Sequence, residues 1–325
     1  LNAALSRGAA GILIIQSNFP RKAGAQVSGW SMNGFKVAQS LFGFYISADL
    51  AASILKTEIA GLADRIKKGE IASKAYKAEV ILTYAKEIIK TEVSNVLGLL
   101  EGTDKKDEYV VITSHYDHVG KRADGTIYYG ADDDGSGTVA LLEIAQAFQE
   151  AKNDGHSPKR SILFLHVTGE EHGLYGSKFY TENPLFPLAN TISDVNIDMI
   201  GRRDEFHLKS NNYIYLIGSN FLSTDLHNVC EDVNKKYINI KLDYKYNSRK
   251  DPNRFYYRSD HYNFAKHNIP SVFLFNGVHD DYHQATDEVD KIEFDALQRR
   301  TQLAFVIAWE LANREKRPVL NKSKD

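Results

Sequence analysis

Five short segments between Tyr109 and Asp287 close with residues that bind cations, and this recurrence limits how the chain can fold more than anything else in it. The apolar run Tyr109-Val-Val-Ile-Thr-Ser114 leads into His115-Tyr-Asp117-His118, and Gly130-Ala-Asp-Asp-Asp-Gly-Ser-Gly137 follows. Ile162–Val167 leads into Thr168-Gly-Glu170-Glu171-His-Gly173, and Val195-Asn-Ile197 into Asp198. Val272–Phe275 precedes Asp280-Asp-Tyr-His283-Gln-Ala-Thr-Asp287. Side chains two apart in a strand share a face, so His115 and Asp117 can point the same way at a strand's carboxyl end. That is the edge where open α/β sheets collect their ligands. Brought to one edge, these carboxylates would repel one another severely without a counter-cation. A divalent pair would neutralise them and could activate a hydrolytic water. The single cysteine, Cys230, excludes thiolate clusters and intrachain disulfides, and reads as a small buried hydrophobe on a helix. His, Asp and Glu remain as donors, a usual mix for zinc.

The stretches between these segments alternate strand and helix. Helix Ser136–Lys152 carries Ala140, Ile144 and Phe148 at four-residue spacing. Helices over Phe221–Lys236 and Asp295–Arg314 and strands over Val195–Met199, Tyr213–Ile217 and Ser271–Phe275 continue the pattern. It predicts an α/β fold with a mostly parallel sheet covered on both faces. Upstream lie an Ala/Gly-rich helix, strands Gly11–Ile15 and Gly43–Ser47, helix Ala48–Ile59 and a polar connector, Gly61–Lys77. A strand pair is expected from Ala78–Tyr84 to Val93–Leu100. A net charge near −2 gives no reason to expect nucleic acid or an anionic membrane as partner. No apolar run is long enough to span a bilayer. The start at Leu1, without Met and inside a running pattern, suggests a preceding segment.

The order His-x-Asp, Gly-Ala-Asp-Asp-Asp-x-Ser-Gly, Glu-Glu-x-Gly-Leu-x-Gly-Ser, Asp-Met, Ser-Asp-His and His-x-x-x-Asp resembles the co-catalytic di-zinc metallopeptidases. That family includes the aminopeptidase Y type and the glutamate carboxypeptidases. Residues 1–60, through Arg7–Ile15 and Phe44–Ser47, resemble the later part of a protease-associated domain. The resemblance implies a three-layer α/β/α peptidase domain over 93–325, after a partial protease-associated-like domain (1–60) and a connector with the first strand (61–92). It also implies two zinc ions, a peptide substrate and export to the periplasm, the medium or the cell surface.

Carried over residue by residue, the resemblance implies that His115, Asp133 and Asp198 bind one zinc and Asp133, Glu171 and His283 the other. Asp117 would hold the His115 tautomer through its ring N–H. Glu170 would be the general base toward the metal-activated water. Tyr256, three before Ser259-Asp-His261, would steady the oxyanion, and Asp260 would brace the site. His118 is an alternative ligand to His115. Asp132 and Asp134 read as local caps that meet backbone N–H groups; His166, His172, His261 and His279 read as structural or pocket-lining. Aminopeptidase action is the leading expectation. A glutamate-releasing carboxypeptidase would need a basic pocket, for which Arg202, Arg203, Arg249, Arg254 and Arg258 are candidates. A glutaminyl-cyclase-like enzyme with one zinc conflicts with the complete aspartate triplet, and a non-catalytic receptor-like protein conflicts with the full set of ligands and base.

Overall fold

The computed structural model describes residues 2–16, 19, 41–59, 61–70, 75–83 and 91–322, in two units divided between Thr91 and Glu92. The first unit holds α1 (Asn2–Leu5), the parallel pair β1 (Gly11–Ile15) and β2 (Phe42–Ile46), then α2 (Ala48–Leu55) and α3 (Leu62–Lys67). Ser47 starts α2 by accepting the Leu50 N–H on its side-chain oxygen. The strand expected over Ala78–Tyr84 does not form in residues 78–83, which are exposed, and Tyr84 lies outside the described residues. Alternation alone makes no strand without a neighbour to take the backbone hydrogen bonds.

The second unit runs β3 (Val96–Leu100), β4 (Lys105–His115), α4 (Gly137–Asn153), β5 (Arg160–Val167), α5 (Tyr175–Glu182) and β6 (Thr191–Ile197). It continues with β7 (Tyr213–Ile217), α6 (Thr224–Val233), β8 (Lys241–Asp243), α7 (His261–Ala265), β9 (Ser271–Phe275) and α8 (Phe294–Asn313). The sheet order is β3-β5-β4-β6-β9-β7-β8. Only the pairs β3–β5 and β7–β9 are antiparallel. The mostly parallel mixed sheet expected from the βα alternation is present.

Strand periodicity divides the core into layers. Val110 and Ile112 of β4 and Ile162 and Phe164 of β5 join Leu141 and Phe148 of α4 and Leu303 and Ile307 of α8 in one apolar cluster. Their strand neighbours Val111, Leu163 and Leu165 join Tyr180 of α5 and Phe264 of α7 in another. The strands are thus apolar on both faces, as parallel sheets require. Phe148 is fully buried, with ring centroids of Phe305, Trp309 and Phe164 at 4.8, 5.5 and 6.0 Å. Phe148→Ala is expected to lower unfolding stability by about 3–5 kcal/mol, read as a shift in urea midpoint.

The parallel strands β5, β4, β6 and β9 lie side by side. Their carboxyl ends, each followed by one of the acidic or histidine-bearing segments, therefore share one edge of the sheet.

Candidate metal centre

At the end of β4 the His115 ring is fully buried, and its Nδ1 lies 2.9 Å from the main-chain carbonyl of Asp117. A carbonyl only accepts, so Nδ1 carries a proton and Nε2 is the ring nitrogen left to face a cation. That Nε2 lies 3.2 Å from Asp133 Oδ1 and 3.7 Å from Asp198 Oδ1. On the other side of Asp133, His283 Nε2 lies 3.0 Å from Asp133 Oδ2 and 3.0 Å from Glu171 Oε2. Asp133 therefore stands between two donor groups, with one oxygen toward each. The buried atoms His115 Nε2, His283 Nε2, Asp133 Oδ2 and Glu171 Oε1 have no hydrogen-bond partner. Buried polar atoms are seldom left so. Here they are imidazole nitrogens and carboxylate oxygens converging at ligand spacing, and this donor set fits zinc.

The surrounding hydrogen bonds fix the donors. Asp198 Oδ2 accepts from Ser259 Oγ (2.5 Å), which accepts in turn from Asn196 Nδ2 (2.8 Å). The outer members of the triplet are engaged locally. Asp132 Oδ1 accepts the Gly201 N–H at 2.6 Å, and Asp134 accepts the N–H groups of His115, Gly137 and Met199. Asp134 does lie beside His115 and Asp198, but its two oxygens are committed to those three donors. Asp287 accepts from the N–H groups of Asp132 and Asp133, which sets the turn that aims the middle aspartate. Buried Asp260 accepts from Ser177 Oγ (2.5 Å), and burial pushes its carboxyl up to about 7.

Asp117 works through different atoms from those expected. Its carboxylate is 3.8 Å from His115 Nδ1 and accepts instead from the N–H groups of Glu170 (3.1 Å) and Glu171 (3.4 Å). The main-chain carbonyl of Asp117 accepts the hydrogen bond from the His115 ring N–H, and the carboxylate pins the turn carrying the two glutamates.

The electrostatics point to a site that draws positive charge. Burial first, then the charges of Asp198, Asp260 and Glu171, raise the Glu170 carboxyl well above its usual range. Burial opposes protonation of His283, but Asp133 and Glu171 outweigh it and lift the imidazole to about 9. Two residues of the site have left-handed backbone, His283 (φ 56°) and Met199 (φ 57°), which follows Asp198. Such non-glycine conformations cost about 1–3 kcal/mol and persist where the surroundings hold them.

A cleft opens beside the donors, lined by Asp133, Glu170 and Asp198, by apolar Met199, Phe273, Phe275 and Val278, and by Arg258 and Tyr282. Tyr256 is not in this wall. Its ring packs on Phe221 (4.6 Å) and His261 (5.3 Å) and lies against Gly218, where an added Cβ would come within 2.6 Å of it. The phenol in the cleft is Tyr282, whose ring stacks on His283 at 3.9 Å. Its sequence signal is adjacency to His283 alone, outside the motif spacing that points to Tyr256. Of the five candidate arginines only Arg258 lines the cleft. Arg202 pairs with Asp281 and Arg203 with Glu293, while Arg249 and Arg254 lie over the rings of Phe221 and Tyr257.

Comparison with known proteins finds relatives in sequence and in fold. The family model of Peptidase family M28 matches residues 95–308, more than half of the chain. A relative from Arabidopsis thaliana, "Probable glutamate carboxypeptidase LAMP1", is 30% identical over 164 residues, which is 50% of this chain and 22% of the relative. The chain spans between 16% and 28% of the length of the three plant relatives of that description. Among solved structures, the Legionella pneumophila LapA aminopeptidase superposes with a TM-score of 0.55 at 26% identity, covering 68% of this chain and 56% of that one. BSAP, a zinc aminopeptidase from Bacillus subtilis, gives a TM-score of 0.55 at 23% identity over 68% and 51% of the two chains, a likeness of fold.

Proposed function

Because the chain belongs to peptidase family M28, we propose that it is a zinc-dependent exopeptidase that holds two ions and removes N-terminal residues from peptides. The observation that carries this reading is the position of Asp133, whose two oxygens serve separate donor groups, His115 with Asp198 and His283 with Glu171. Zinc held there would supply Lewis acidity, acidifying water and polarising a peptide carbonyl. The chain's own groups would do the rest. Glu170 lines the cleft next to these donors, where it would take the proton of the attacking water and return it to the leaving amine. Tyr282 would donate its O–H to the developing oxyanion. The Arg258 guanidinium, which donates to the Tyr282 oxygen at 3.1 Å, would orient that phenol. The apolar wall of Met199, Phe273, Phe275 and Val278 would take a substrate side chain. We extend the reading to the first unit as part of a protease-associated domain, on the segments Arg7–Ile15 and Phe44–Ser47, and to an exported location.

The aminopeptidase named among the structural neighbours supports N-terminal action. One observation favours a second reading: Arg258 is in the cleft and makes no ion pair within 4 Å among the described residues, so a substrate carboxylate could meet it there. A C-terminal carboxylate held at Arg258 would make the enzyme a carboxypeptidase. Mass spectrometry of an unblocked peptide, incubated with zinc-loaded protein beside a chelated control, separates the readings. Stepwise loss from the N-terminus, abolished by chelation, is the expected result. Loss from the C-terminus would replace it with the Arg258 reading.

A further inference from the structure

His118 is absent from the two donor groups that the sequence pattern supplies, yet its side chain is 9% exposed and neither ring nitrogen has a hydrogen-bond partner. Its Nδ1 lies 2.9 Å from Glu171 Oε1 and 3.9 Å from Asp133 Oδ2. Two donors about 2.0–2.1 Å from a tetrahedral zinc lie about 3.3 Å apart. The His118 spacings bracket that value, as do those of His115 to its own partners, 3.2 and 3.7 Å. The ring is held in place by a residue that could be nothing larger. Gly130 has φ +60°, and an added Cβ would come within 2.5 Å of the His118 ring. The rings of His118 and His283 approach edge to face at 5.7 Å, on the same side of Asp133.

We propose that His118 is a fourth protein ligand, through Nδ1, of the cation bound by Asp133, Glu171 and His283. This rests on the reading of the site as a two-cation centre, and it makes the two positions unequal. Four protein donors close a zinc site in the manner of structural centres, whereas three leave a position open to water. The position of His115, Asp133 and Asp198 is then the open one. The cleft is lined by Asp198 and Glu170 beside the shared Asp133, whereas Glu171 and the three histidines His115, His118 and His283 stay out of its wall, so the carboxylate that belongs to one position alone and reaches the cleft is Asp198. One cation therefore organises Asp133 and the turn after β5, while the other faces the substrate cleft and the base.

The test is cadmium NMR on full-length protein whose histidines carry an NMR-active nitrogen isotope, loaded with an NMR-active cadmium isotope in place of zinc. Two cadmium resonances are expected, one split by two imidazole nitrogens and one by a single nitrogen. In His118→Ala the doubly split resonance should lose one coupling, and affinity at that position should fall roughly tenfold or more, while the singly split resonance is retained. Two resonances each coupled to one nitrogen would overturn the assignment of His118 and leave the two-cation reading standing. A single resonance coupled to two nitrogens would overturn the second cation; loss of one of its couplings in His118→Ala would then support His118, and retention of both would overturn it. Absence of bound cadmium would overturn both.

Discussion

Replacing Glu170 with glutamine is expected to lower kcat by roughly two to four orders of magnitude while the zinc content stays that of the wild type. The amide matches the carboxylate in shape but cannot take a proton from water. The turn around it should hold, because Asp117 grips the backbone N–H groups of residues 170 and 171 rather than the side chain. Nor should the fold suffer. Burial and the charges of Asp198, Asp260 and Glu171 disfavour an ionised Glu170, so a permanently neutral residue suits that buried position in the apoprotein. The variant apoprotein should melt no lower than the parent. Elemental mass spectrometry, steady-state kinetics and calorimetry check the three parts, and full activity in Glu170→Gln would remove the base assignment.

Asp133→Ala should have the broadest effect on the metals. Its Oδ1 lies 3.2 Å from His115 Nε2 and its Oδ2 3.0 Å from His283 Nε2, so one substitution takes a donor from both positions. Each should lose at least about ten- to a hundredfold in affinity, and after dialysis the protein should retain almost no zinc. His283→Ala should by contrast empty only one position. The backbone turn is held by Asp287, which accepts the N–H groups of residues 132 and 133, so circular dichroism of Asp133→Ala should stay that of the parent. If the variant kept its full metal content, Asp133 would not be the shared ligand.

The residues that converge were readable because each closes a strand that feeds the same sheet edge. His115 ends β4, Glu170 and Glu171 follow β5, and Asp198 follows β6. An apolar run and the polar residue that ends it are local features. What the chain did not reveal depends on which atom or ring reaches across a turn. Tyr256 and Tyr282 are both tyrosines near the motifs, and only the fold puts the first under Gly218 and the second in the cleft. The division of labour inside Asp117, carbonyl to His115 and carboxylate to the glutamates, is not a property of its residue type. Helix α5 was hidden for another reason. Tyr175-Gly-Ser-Lys-Phe-Tyr-Thr-Glu182 is short, carries Gly, Ser and Thr, and begins after Leu174 with no side-chain cap. Packing, not propensity, makes it helical.

The cation-facing residues come from separate stretches of chain, and only the strand order β5-β4-β6-β9 puts them side by side. No piece of the polypeptide shorter than His115 to His283 contains a complete site. An unfolded chain therefore offers scattered donors, and a cation that prefers the finished arrangement selects it. Free metal at a thousand times its dissociation constant would add about 4 kcal/mol to the folded state. Uptake of metal is in this sense the closing step of assembly. A chain that had docked β5, β4 and β6 but not yet placed β9 beside β6 would lack His283, and the cation position it shares with Asp133 and Glu171 would stay incomplete until that last strand was in place.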